Sequence, residues 1–153
     1  MKILGLDVGD VRIGVAITDK SGTIASPLTV IKNDDKAKEN LGKIIKENNI
    51  EKIVVGMPYN LKGELAFQAK KVIDFIENNI KSYGVEVELI DERFTSKISL
   101  KALDKYETIN KRGKSRIRSK KSTKGKDDGI IDKISAAVLL NDYLDKIKNK
   151  KTK

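Results

Sequence analysis

The chain has 153 residues, 39% of them hydrophobic, 35% charged and 5% aromatic, enough apolar material for one core and an expected single domain. It contains no Cys and no His, which excludes disulfides, zinc–thiolate sites, thiol nucleophiles and every Ser-His or His-metal arrangement. The net charge of +10 favours a polyanionic partner, and a catalytic metal would need oxygen ligands, which suits Mg²⁺ or Mn²⁺ better than Zn²⁺.

Three strand-like runs open the chain, at 2–8, 11–18 and 23–31. The links Gly9-Asp10 and Lys20-Ser21-Gly22 are short enough for antiparallel hairpins. Asp7 and Asp10 interrupt the first apolar run before it reaches signal-peptide length. No stretch approaches the roughly 20 apolar residues that cross a bilayer, so a cytoplasmic protein is expected. Residues 34–49 read as an amphipathic helix with Ala37, Leu41, Ile44 and Ile45 on one face, Asn33 or Asp34 as cap and Asn48-Asn49 at the close. A buried strand, Lys52-Ile53-Val54-Val55-Gly56, ends at Met57-Pro58. After a loop through Gly63, a second helix aligns Leu65, Ala69, Val72, Ile73, Ile76 and Ile80, and Gly84 ends it. A fifth strand covers 85–90, and a short helix is expected over 96–105.

Residues 111–126 then carry nine positive charges and no acid, and residues 146–153 carry five, which leaves the rest of the chain at −4. A slightly acidic body with two basic appendages suits a polyanion held by the appendages. Solubility is the rival explanation for the tail. Between them the last helix, about 129–147, places Ile130, Ile134, Ala137, Leu140, Leu144 and Ile147 in register. A three-strand meander extended by βα units implies an α/β protein with a mixed five-stranded sheet flanked by helices. Strands one, four and five would be neighbours, with Asp7, Gly56 and Glu92 at one edge.

Three acids stand at the edges of apolar elements. Asp7 closes Lys2-Ile3-Leu4-Gly5-Leu6, Glu92 follows Val85-Glu86-Val87-Glu88-Leu89-Ile90, and Asp132 heads Ile131 to Leu140. A carboxylate among Ile, Leu and Val needs a cation to compensate it, so these acids form a candidate metal site. Each has a plainer rival reading. Asp91 and Glu92 point opposite ways on a strand, so only one faces the site; Asp91 could instead pair with Arg93. Asp132, like Asp127 and Asp128, could simply suit a helix N-terminus. Arg12 has the planar fork that matches phosphate oxygens, with Gly9 and Gly14 beside it as turn or packing residues. Asn60 and Lys62 lie in the loop after strand four, where substrate contact and a plain βα connection are both open. Arg93 and Lys133 are further phosphate candidates.

Together these segments resemble the YqgF family of small Holliday-junction-resolvase-like proteins. Leu4-Gly5-Leu6-Asp7-Val8-Gly9 with Arg12-Ile13-Gly14-Val15-Ala16 is similar to that family's first two strands. Val54-Val55-Gly56-Met57-Pro58, Asn60 and Gly63-Glu64 resemble its middle motif, Asp91-Glu92-Arg93-Phe94-Thr95-Ser96 its most specific one, and Asp132 to Leu140 its closing helix. The resemblance implies one RNase H-like nuclease domain over 1–153, with the basic insert 111–126 and the tail 146–153. It also implies that Asp7, Glu92 and Asp132 are the catalytic, metal-holding carboxylates. The implied task is trimming the 5′ end of the 16S rRNA precursor, with junction resolution as the older proposal. Ser135 where Ala is usual and a long, strongly basic insert depart from the pattern. The resulting expectation is a nuclease using Mg²⁺ or Mn²⁺, in which Asp7 bridges two ions roughly 3.5–4 Å apart. Its partner would be precursor rRNA or the pre-ribosomal particle, with branched DNA as the other candidate. A non-catalytic RNA-binding assembly factor is the rival from another class. A sugar-kinase-like nucleotide module would need a duplicated second half for which there is no room. With only Phe67, Phe75, Phe94 and four Tyr, no base-stacking platform is expected.

Overall fold

A computed structural model describes residues 1–58, 64–91 and 128–152. Strands β1 (Ile3–Val8), β2 (Arg12–Thr18) and β3 (Ala25–Lys32) form the meander. Helix α1 (Ala37–Asn48) leads to β4 (Lys52–Met57), and α2 (Glu64–Asn79) leads through a 3₁₀ turn at Lys81–Tyr83 to β5 (Glu86–Asp91). Helix α3 (Asp128–Lys151) follows. The five strands form one sheet in the order β3-β2-β1-β4-β5. The meander pairs are antiparallel, and β1–β4 and β4–β5 are parallel, so the expected mixed sheet and its neighbours are present. The expected helix at 96–105 and the basic segment 111–126 lie outside the described residues.

Alternation along the strands divides the apolar side chains between two faces. Leu4, Leu6, Ile13, Val15, Ile53, Val55 and Met57 pack against Leu41 and Ile45 of α1 and Val72 and Phe75 of α2. Ile3, Ala16, Val54 and Ile90 take the other face, under Ala136, Leu139, Leu140, Tyr143 and Leu144 of α3. Each fully buried Leu, Ile or Val contributes about 1.5–3 kcal/mol relative to exposure, so α3 is bound by a core of its own. It lies close: a Cβ on Gly5 would come within 2.9 Å of the Leu140 Cβ.

Local chemistry moves several boundaries. Helix α1 starts at Ala37, because Asp34 is spent on the preceding turn: its Oδ1 accepts the Lys36 N–H at 2.9 Å and its carbonyl accepts the Ala37 N–H at 3.0 Å. Asn33 is not the cap either, since its side chain donates to the Gly9 carbonyl at 2.8 Å. At the other end Asn49 adopts φ 53° and ψ 51°, and the Ile50 N–H reaches back to the Ile45 carbonyl at 3.0 Å, an Asn-terminated helix stop. Strand β3 starts at Ala25 because Asp19 captures the residues before it, accepting the Thr23 and Ile24 N–H groups at 2.8 and 3.2 Å and the Ser21 hydroxyl at 2.6 Å. These donors, the Ser21 hydroxyl foremost, hold the Asp19 carboxyl well below the usual carboxylate range. Ile73, expected on the buried side of α2, is 47% exposed, since Val72 and Phe75 centre that face and leave it one step off.

Candidate active site at the carboxyl edge of the sheet

Ile3, Gly5 and Asp7 alternate onto the α3 side of β1, so Asp7 ends the stripe that α3 covers. Its cross-strand partner on β2 is Gly14. The absence of a side chain there matters: a Cβ on Gly14 would collide with the Asp132 carbonyl oxygen and press on the Lys133 nitrogen. The first turns of α3 therefore rest directly on the backbone opposite Asp7. That packing brings Asp132 to the same edge across more than a hundred residues of sequence.

The Asp132 carboxylate meets Arg12, whose Nε donates to Oδ2 at 3.2 Å. The two side chains are 36% and 32% exposed, in the order Arg12 and Asp132, so the pair is accessible from solvent yet shielded on its inner side. Lys133, on the same turn, is half-buried. The structure thus brings together Asp7, Arg12, Asp132 and Lys133 out of the expected set. Asn60, Lys62, Glu92 and Arg93 lie outside the described residues. The question of Asp91 is settled by register: it pairs with Met57, and the preceding Ile90 belongs to the α3 face. Asp91 therefore sits on the α1–α2 side, away from the face that Asp7 shares with α3.

Two side-chain clusters have no counterpart in the sequence reading. At the carboxyl edge, Asp10 in the β1–β2 turn accepts from Lys71 of α2 at 3.2 Å, and the Lys71 ammonium stands 4.9 Å from the centre of the Phe67 ring. No local pattern could have linked residues 10, 67 and 71. At the other end of the α3 face, Tyr143 donates to Glu88 at 2.6 Å, and Lys52 donates to the Tyr143 oxygen at 3.1 Å and to Glu88 at 3.2 Å. The Tyr143 hydroxyl lowers the Glu88 carboxyl below its ordinary value and raises the Lys52 ammonium above its own, with burial opposing both.

The donor set at the edge fits a hard divalent cation. It is all oxygen, it has carboxylates from two elements, and the chain itself already places a cation, Arg12, on one of them. Among the described residues no group of three acids surrounds a common point; Glu92, the expected third, is not among them.

Comparison with known proteins bears on what such an edge does. Residues 1–146 match the RuvX family, described as Holliday junction resolvase, the family also known as YqgF. A protein of Thermoanaerobacter pseudethanolicus named "Putative pre-16S rRNA nuclease" is 41% identical over 152 residues, covering 98% of this chain and 100% of its own. A protein of the same name from a Sulfurihydrogenibium species is 40% identical over 148 residues, with 95% and 91% covered. Among solved structures, Thermus thermophilus RuvC in complex with a Holliday junction substrate superposes with a TM-score of 0.53 at 17% identity, covering 97% of this chain and 96% of its own. The Fowlpox virus resolvase bound to Holliday junction DNA gives 0.54 at 14% identity, with 96% and 99% covered. At those identities the likeness concerns the fold, which is RNase H-like.

Proposed function

Because the chain belongs to the RuvX family and is a nuclease hydrolysing phosphodiester bonds, we propose that it is the metal-dependent enzyme that processes the 5′ end of the 16S rRNA precursor. The observation that carries this reading is the seat of α3 on Gly14, which sets Asp132 and Arg12 beside Asp7 at an accessible sheet edge. The relatives named for pre-16S rRNA align over nearly their whole length.

In this reading Asp7, Glu92 and Asp132 hold divalent ions, Mg²⁺ or Mn²⁺. Ions held there supply Lewis-acid activation of the attacking water and stabilise the leaving oxygen. Arg12 holds Asp132 in place, and its planar fork is of the kind that suits a substrate phosphate. Asn60, Lys62, Arg93 and Lys133 position the nucleic-acid backbone. With no His in the chain, the proton of the attacking water leaves through solvent or a substrate phosphate oxygen. The enzyme works in the cytoplasm, where its substrate is made.

Purified protein is incubated with labelled precursor rRNA, with the pre-ribosomal particle and with a four-way DNA junction, in Mg²⁺ or Mn²⁺. Poor, weakly selective cleavage of the naked precursor is expected, with better, positioned cleavage on the particle. Asp7→Asn, Glu92→Gln and Asp132→Asn should each abolish it while leaving the fold intact, since each removes charge but little volume. Full activity in Asp132→Asn together with loss in Asp128→Asn would move the third ligand. A junction-resolving role is the second reading, favoured by the family description and by the fold's two junction-bound neighbours. Paired symmetric nicks in the junction, at enzyme levels that leave precursor rRNA untouched, would establish it instead.

A further inference from the structure

Three large apolar side chains stand exposed around the carboxyl edge of the sheet: Val11 at 71%, Phe67 at 64% and Ile131 at 42%. Val11 adjoins Asp10 in the β1–β2 turn, Ile131 precedes Asp132, and Phe67 lies in the first turns of α2, which begins at the edge where β4 ends. Phe67 is held rather than loose. Lys71, one helical turn on, places its ammonium over the ring, and the same ammonium is fixed by Asp10, three residues beyond Asp7. Three residues span about 10 Å at most, so the Asp10–Lys71 pair that holds the ring stands at the same sheet edge as Asp7.

We propose that Phe67, oriented by Lys71 and Asp10, is a stacking platform for an unpaired nucleobase of a strand bound at this edge. The proposal rests on the nuclease reading above and names the class of substrate, a single-stranded segment entering the site. Lys71 takes one side of the ring, and the residue as a whole remains mostly open to solvent. An aromatic face with a cation beside it is what a base and its adjoining phosphate need, and the stacking tolerates any base because every base has a π face. Asp7 faces α3 while Phe67 rides on α2, on the opposite side of the sheet. A strand with a phosphate at the acids and another of its bases on Phe67 must cross the sheet edge, a path open to a flexible single strand and awkward for a stacked duplex. This revises the expectation that the chain has no platform: aromatics are few, but one is placed outward at the rim.

The test is binding of the full-length protein to a single-stranded RNA oligonucleotide carrying 2-aminopurine, in Ca²⁺ so that cleavage does not intervene, alongside a duplex of the same sequence. Phe67→Ala should weaken single-strand binding roughly five- to hundred-fold, and the fluorescence quenching that marks stacking should fall with it. Duplex binding should stay as in wild type. Phe67→Trp should restore both affinity and quenching, whereas Phe67→Leu, apolar but without a π face, should not. Ile73→Ala, an exposed residue elsewhere on α2, should match wild type. Unaltered single-strand affinity and quenching in Phe67→Ala, in a preparation whose wild type binds and cleaves, overturns the platform and leaves the nuclease reading standing. A wild type that neither binds nor cleaves nucleic acid overturns both.

Discussion

Gly14 is where a single hydrogen atom decides the geometry of the site. Its Cα lies opposite Asp7 and beneath the Asp132 carbonyl, so any side chain must lift the start of α3. Gly14→Ala should cost about 1–3 kcal/mol, the usual range for overpacking, read as a melting point lower by about 2–4 °C per kcal/mol. Activity should fall further than stability predicts, because the displaced residue carries a proposed metal-binding carboxylate. An activity loss matched by an equal loss of folded protein at the assay temperature would show that only folding was affected. Arg12→Ala should be mild by comparison, within about 1 kcal/mol, since the Arg12–Asp132 pair is one-third exposed and screened. Asp7 and Asp132 were legible because a charge in an apolar run stands out locally. Their meeting through Gly14 was not, because sequence alone does not say which backbone a glycine admits. The outward placing of Phe67 was equally hidden, since a count of aromatic residues carries no information about which rings face solvent.

At the scale of elements, α3 is fastened at both ends by different chemistry. Its start rests on Gly14, and farther along Asn141 pairs its side-chain amide with both backbone groups of Ala25, at 3.1 Å and 3.3 Å, mimicking a further strand. Beyond Asn141 the Tyr143–Glu88–Lys52 cluster ties α3 to β4 and β5. Tyr143→Phe should destabilise the protein by about 1.5 kcal/mol, as for a hydrogen bond to a charged group. Glu88 is held below its ordinary 4.5, so its contribution is present above about that pH and fades as pH falls through the lowered value. Lys52 is held above its ordinary 10.5, so its contribution is complete below that pH and fades as pH rises through the raised value. Tyr143 is the largest cause of both shifts. Denaturation midpoints across pH should therefore flatten at both extremes in Tyr143→Phe, and an acid limb as steep as wild type would refute the assignment. The strands and three long helices were readable because period-two and period-3.6 patterns are local. The start of α1 was not: Asp34 looks the same in sequence whether it caps a helix or closes the turn before it.

For the whole molecule the governing quantity is the placement of charge. The net +10 resides in the segments 111–126 and 146–153, the first lying outside the described residues and the second running into the last turn of α3 with Lys148, Lys150 and Lys151. Deleting 112–126 should weaken binding to nucleic acid and flatten its salt dependence, by about 0.7 in the log–log slope for each phosphate that is no longer neutralised on a single strand. Equal slopes before and after deletion would mean that the segment takes no part in binding. The order of the sheet and the identity of its flanking helices followed from the sequence, because each element declares its own buried face. How a substrate strand crosses from the α3 side to the α2 side did not, since it depends on the rim, where exposure rather than burial carries the information.

The seat of α3 has a consequence in time. Translation delivers β1 and Asp7 first and residues 128–151 more than a hundred residues later, and domains begin to organise as they emerge. Until α3 arrives, Ile3, Ala16, Val54 and Ile90 lack the helix that covers them, and Asp7 lacks the Arg12–Asp132 pair at its edge. On the proposed assignment, a chain still on the ribosome lacks one of its metal-holding acids while it is made beside the very class of RNA it is proposed to process. Placing that proposed acid on a helix made more than a hundred residues after Asp7 would keep the enzyme inert until the helix is in place.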